Sequence, residues 1–310
     1  MLINNSLIKG SGCANYPYCK YPGKPKKRIS SQGGKILGKK LNFTKFLSTL
    51  ERQHNKYLAN LPMWDQYIVW TYTLGSQPVN RRLLGAPVDP KFSQRWTFEL
   101  FNNPDVKYLS PLFEEWVEFF KDPKLYLSLS DDEKNNIAEQ VLERYTLNLQ
   151  SIIMHSPPTT GDIIVYKAST PYDNRLLENN FPVSLPQPPF NSTTYDPWFD
   201  FNAFLGSNQD TCCLWELTIP KGSRVLAIAH PFQAYLTERE ILLPYGSVFE
   251  VTDATEVDMS YFTNREAPIR TQNPPFNIGE VYRHDNWEQR PIDQRRMRML
   301  IARVQTPSSF

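Results

Sequence analysis

Through the first half of the chain, apolar residues recur at helical spacing. Phe43, Phe46, Leu47, Leu50, Tyr57, Leu58 and Leu61 follow an i, i+3, i+4, i+7 rhythm that Pro62 ends. Ser110-Pro111 has the form of a helix start, with Leu112, Trp116, Phe119 and Phe120 along the apolar side that follows. Ser130-x-x-Glu133 is a capping box in sequence, and Ile137, Val141, Leu142, Tyr145, Leu149 and Ile152 share one face behind it. These aromatic-rich stripes read as core. After His155 the rhythm changes. Ser156-Pro157-Pro158 breaks the helix, and short β-rich runs begin at 162–168, 212–219, 224–229, 238–243, 247–252 and 297–304. Pro220-Lys221-Gly222 and Pro244-Tyr245-Gly246 are the turn signals between them, and the polar stretch 265–296 reads as a long surface connection. The expected fold class is α+β, with a helical lobe over 41–155 and a β-rich unit over 156–310.

Charge adds a third part. Of 34 Lys and Arg, ten fall in the first 50 residues, where there is no acid; the rest of the chain has 24 against 32 acids. Residues 1–40 also hold Pro17, Pro22, Pro25, Gly33 and Gly34, so they read as a basic flexible arm ahead of an acidic body. Tyr16, Tyr18 and Tyr21 lie among the basic residues, which suits contact with nucleic acid as well as it suits a solvated tail. Gly33 to Lys40 approaches a phosphate-binding loop, but Lys40 stands where a magnesium-holding Ser or Thr is needed. No apolar run approaches the length of a membrane span, and Met1 to Gly10 has no long apolar core of a secretory signal. The four Cys and four His show no metal-ligand spacing, so neither a disulfide framework nor a bound metal is expected. An intracellular location, cytoplasmic or virion-associated, is expected.

Three stretches could carry chemistry. In Thr237-Glu238-Arg239-Glu240-Ile241-Leu242-Leu243-Pro244, strand alternation would set Glu238 and Glu240 on one face just before an apolar, buried run. Paired carboxylates can divide labour between stabilising a cation and orienting a second reactant, though an exposed strand end looks the same in sequence. In Phe190-Asn191-Ser192-Thr193-Thr194-Tyr195, hydroxyls gather behind the proline-rich loop 182–189; they could orient a carboxylate or form a polar turn. In Ile163-Ile164-Val165-Tyr166-Lys167-Ala168, one cation leaves an apolar strand, where it could hold a phosphate or snorkel at the surface.

In order and spacing these stretches resemble the mono-ADP-ribosyltransferase family, of the toxin-like class with an Arg, a Ser-Thr-Ser and a Glu-x-Glu. The resemblance covers roughly 150–304 and includes Leu217 to Gly222 and the Leu-Leu-Pro and Gly-Ser-x-Phe-x-Val of 238–251. It implies an ADP-ribosyltransferase-like catalytic domain over 156–310, built on two small packed β-sheets with NAD between them. It further implies release of nicotinamide from NAD, as substrate, and passage of ADP-ribose to a protein acceptor, through arginine where the motif begins with Glu. Glu240 would stabilise positive charge on the ribose, Ser192 would hold Glu240, and Glu238 would stand by the acceptor. Lys167, Ser192, Thr193 and Thr194 would line the NAD site, and Trp198 or Phe199 would close over the nicotinamide. Lys167 stands where the family has Arg, keeping the charge without the planar fork, and Thr194 stands where it has Ser. The alternative is a degenerate member acting as a binding or structural protein, its basic arm on nucleic acid.

Overall fold

The computed structural model describes residues 49–85, 89–102, 112–169, 181–195, 213–229, 232, 239–258, 269–271, 281–283 and 296–308. The basic arm 1–40, the helix start at Ser110-Pro111, and Phe43, Phe46 and Leu47 lie outside them. The architecture is α+β: helices come first, and strands follow.

Among the described residues the helices are α1 (49–59), α2 (Met63–Leu74), α3 (Gln77–Leu83), α4 (Pro90–Asn102), α5 (Val117–Lys121), α6 (Pro123–Ser128) and α7 (Asp131–His155), with a 3-10 turn at Glu114–Trp116. The capping box is formed: Ser130 N donates to the Glu133 carboxylate at 2.8 Å, and Glu133 N donates back to Ser130 Oγ at 3.3 Å. Val141, Leu142, Tyr145, Leu149 and Ile152 of α7 are buried, as their spacing predicts. Helix α2 is apolar nearly all round, with Tyr67 through Trp70 and Tyr72 all buried, so it runs through the lobe rather than along its surface. None of these helices is long and apolar enough to cross a membrane.

The strands are β1 (Ile163–Ser169), β2 (Val183–Gln187), β3 (Asn191–Thr194), β4 (Cys213–Ile219), β5 (Leu226–Ile228), β6 (Glu240–Leu243), β7 (Ser247–Asp258), β8 (Ile269–Thr271), β9 (Val281–Arg283) and β10 (Arg296–Gln305). Eight of them form one mixed ladder in the order β2-β7-β10-β4-β1-β3-β6-β5. The step from β1 to β3 rests on a single residue pair, Tyr166 with Thr194. The ladder therefore divides there into a five-stranded and a three-stranded half.

Alternation along the three-stranded half shows how the layers stack. Ala227, Ile241 and Leu243 share a core with Ile163, Val165, Leu217, Phe249 and Leu300 of the other half. Their neighbours Leu226, Ile228 and Leu242 face the opposite way, into the core of the helices with Tyr72, Val141 and Phe190. The strands β3, β6 and β5 are thus a middle layer between helices and the larger half-sheet. Gly222 (φ 88°), before β5, and Gly246 (φ 75°), after β6, turn the chain at the same end of this layer in a backbone region that a Cβ disfavours.

Three regions differ from their sequence reading. The loop 182–189 contains β2, whose Val183, Leu185 and Gln187 are buried while Ser184 and Pro186 are exposed. Pro186 is tolerated because β2 is an edge strand, where the missing N–H breaks no ladder bond. The hydroxyl-rich stretch is strand β3 and not a turn. Within 265–296, β8 and β9 pair as a small antiparallel ladder, so the connection carries structure of its own.

Candidate active site

The site forms on the helix-facing side of the middle layer. Strand β6 begins at Glu240, which is paired across the ladder with Thr194 on one side and Ile228 on the other. Every residue of β6 is buried, and Glu240 is only 3% exposed. Ser192, two residues before Thr194, presents its hydroxyl on the same side and donates to Glu240 Oε1. The other oxygen, Oε2, is buried with no hydrogen-bond partner among the described residues. Burial pushes the Glu240 pKa up to about 7, against the downward pull of the Ser192 hydrogen bond. A buried carboxylate with one oxygen unmet is a costly arrangement, and such costs persist at sites where a ligand completes the set.

The helices face this carboxylate with a phenol. Tyr72 of α2 is fully buried, and burial raises its pKa, with the charge of Glu240 raising it further. Asn80 Nδ2 of α3 donates to Tyr72 Oη at 3.1 Å, and the ring meets Phe190 edge-on at 5.7 Å. Nothing in the sequence marks Tyr72 or Asn80: α2 is apolar nearly all round, so one tyrosine among many carries no signal.

Lys167 lies at the end of the β1 face that carries Ile163 and Val165, half-buried, and its Nζ donates to Asn191 Oδ1. Asn191 is fully buried, and its Nδ2 donates to Pro189 O at 2.9 Å, so both ends of the amide are engaged. Alternation sends Asn191 and Ser192 to opposite sides of β3, and the cation and the carboxylate therefore reach this strand from two sides, one residue apart. Thr193 points away from Glu240 and donates to Ile241 O at 2.6 Å, tying β3 to β6.

Glu240, Ser192 and Thr194 thus share the helix-facing side of the middle layer, and Lys167 reaches β3 from its other side through Asn191. Glu238, Trp198 and Phe199 lie outside the described residues. Strand β6 starts at Glu240, and Arg239 just before it has a φ of 45°. Among the described residues no group of three or more His, Cys, Asp or Glu is placed to hold a metal ion.

Neither a protein-family model nor a curated protein matches the chain. Among solved structures it is similar to the ADP-ribosylating toxin BECa of a C. perfringens binary enterotoxin, determined with NADH. That match has 13% identity over 84% of this chain and 48% of that one, at a TM-score of 0.49. It is also similar to C3stau2 of S. aureus, determined with NAD, at 15% identity over 92% and 100% of the two chains and a TM-score of 0.44. The Salmonella SpvB ATR domain matches at 13% identity over 78% and 98%, with a TM-score of 0.45. The chain spans about half the length of the C. perfringens toxin. Identities this low assign no residue its role, and the chemistry of the site rests on its own side chains.

Proposed function

We propose that this chain is a mono-ADP-ribosyltransferase that cleaves NAD at the nicotinamide–ribose bond and transfers ADP-ribose to a protein arginine. The observation that carries the reading is the buried Glu240 carboxylate, held by Ser192 at one oxygen and unmet at the other. When the glycosidic bond breaks, its electron pair leaves with nicotinamide, and the ribose carbon takes on oxocarbenium character, as in glycoside hydrolysis. A carboxylate fixed in a dry site stabilises that charge strongly because it need not reorganise. Its raised pKa suits this role: the developing cation favours the ionised form when charge is needed. The acceptor nitrogen of arginine then bonds the ribose carbon and gives up a proton, for which Glu238 is the proposed base.

Lys167 is proposed to hold the NAD pyrophosphate, with Asn191 fixing its ammonium. Lys167→Met should raise the KM for NAD about tenfold, the scale of one charge-assisted hydrogen bond, and leave kcat nearly unchanged. Lys167→Arg, which keeps the charge, should bind NAD as well as wild type. Titration of nicotinamide release against NAD measures both, and equal kcat losses in the two variants would remove Lys167 from the binding role.

Glu238→Ala should leave nicotinamide release intact while suppressing arginine labelling at least tenfold, because only the transfer step needs an acceptor base. Parallel loss of both activities would argue against the acceptor role. The reading as a whole is tested by incubating the protein with labelled NAD and cell lysate, with Glu240→Gln as the control. Label on protein with wild type alone supports it. Absence of both labelled protein and released nicotinamide overturns it.

A further inference from the structure

Arg239, the residue immediately before Glu240, is the one non-glycine residue with a positive φ among the described residues. At 45° its backbone lies in the left-handed region that a Cβ disfavours, and such conformations persist only where the surroundings hold them. Two neighbours do so. Tyr195, at the end of β3, donates its backbone N–H to Arg239 O at 3.4 Å. The Tyr195 hydroxyl donates to Glu51 Oε1, which comes from α1, 144 residues earlier in the chain. The Glu51 carboxyl is half-buried; burial raises its pKa, and the positive charge of Arg239 pulls it back down. Helix α1 is itself anchored on both sides of the middle layer. Leu50 packs in the core shared by the half-sheets, and Leu58 packs in the helical core.

We propose that Glu51 and Tyr195 are positioning residues: a clasp from α1 and β3 that locks the left-handed backbone at Arg239 and so fixes where the chain enters β6 and delivers Glu240 to Ser192. The proposal rests on the reading of Glu240 as the catalytic carboxylate. Glu51 supplies the fixed acceptor and a charge facing the Arg239 guanidinium. Tyr195 couples that acceptor to the Arg239 carbonyl through a ring that is itself packed in the core. A one-residue slip at this entry would turn Glu240 to the other face of β6.

Hydrogen exchange and steady-state kinetics on the full chain test this together. In Tyr195→Phe, which keeps the ring and loses the hydroxyl, amide exchange at residues 195 and 240 should quicken about tenfold. The slow amides of α7 and β10 should keep their wild-type rates. Glu51→Ala should give the same local pattern. Nicotinamide release should fall about tenfold in kcat with the KM for NAD within twofold. Adding Arg239→Asn to Tyr195→Phe should restore much of the lost kcat, because Asn accepts a positive φ more readily than Arg. Unchanged exchange at 195 and 240 overturns the clasp, and so does acceleration spread evenly through the fold. Faster local exchange with unchanged kcat, or no rescue by Arg239→Asn, overturns the positioning role. If wild type releases no nicotinamide, the proposed function and the positioning role fail together, and the exchange pattern still decides whether the clasp exists.

Discussion

Glu240→Gln should lower nicotinamide release and arginine labelling by about 10²–10³-fold, the usual loss when one preorganised electrostatic group is removed from a dry site. The same change should stabilise the fold. The Glu240 pKa is raised by burial to about 7, well above the ordinary carboxylate value. Between the two values the folded chain holds a proton that the unfolded chain has released, so stability falls as pH rises through that window. Above pH 7 the whole cost is present, on the order of 3 kcal/mol at about 1.4 kcal/mol per pH unit. Glutamine keeps the shape and carries no charge to desolvate. Chemical denaturation at pH 8 should therefore show the variant more stable than wild type, and the difference should vanish below about pH 4.5. Activity and stability moving in opposite directions marks a charge kept for chemistry. A variant less stable at pH 8 would mean that Glu240 is a structural group.

Some of these contacts are legible in the sequence, and the gaps have physical causes. The sequence points to Glu240 and Ser192 because carboxylates and hydroxyls at those spacings resemble a known constellation, and the Ser192–Glu240 hydrogen bond joins them. Strand β3 was ambiguous for the same reason. Asn-Ser-Thr-Thr has no apolar alternation, since its polar side chains are spent on Lys167, Glu240 and the β6 backbone. Strand β2 was hidden by Pro186, which reads as a breaker unless the strand is known to lie at an edge. The capping box of α7 came through because its two bonds are local, three residues apart. Partners such as Tyr72, Asn80 and Glu51 were invisible: each meets the site across a long sequence separation, and nothing local to them records that meeting.

Replacing His54 should expose a compensation that the wild-type pH profile conceals. His54 of α1 is fully buried, and its Nδ1 accepts the N–H of Ala227 at 3.0 Å. Ala227 lies on β5, the edge of the ladder, so the imidazole supplies an acceptor where no further strand does. That role requires an unprotonated Nδ1, and burial holds the His54 pKa down to about 4. Between about pH 6.5 and 4 the unfolded chain binds a proton that the folded chain refuses. The stabilisation is complete above the upper value and is lost as pH falls, on the order of 3 kcal/mol in all. Glu240 acts in the opposite sense over nearly the same window. Glu51 and Asp65, whose half-buried carboxyls burial also raises, act in the sense of Glu240. His54→Asn keeps an acceptor oxygen for Ala227 and removes the titration. Urea midpoints of this variant should rise relative to wild type as pH is lowered from 7 to 4.5, by the equivalent of about 2–3 kcal/mol, because the carboxylates then act unopposed. Glu240→Gln should show the reverse slope, leaving the imidazole unopposed. If His54→Asn and wild type run parallel across that range, the imidazole is not the group that refuses the proton.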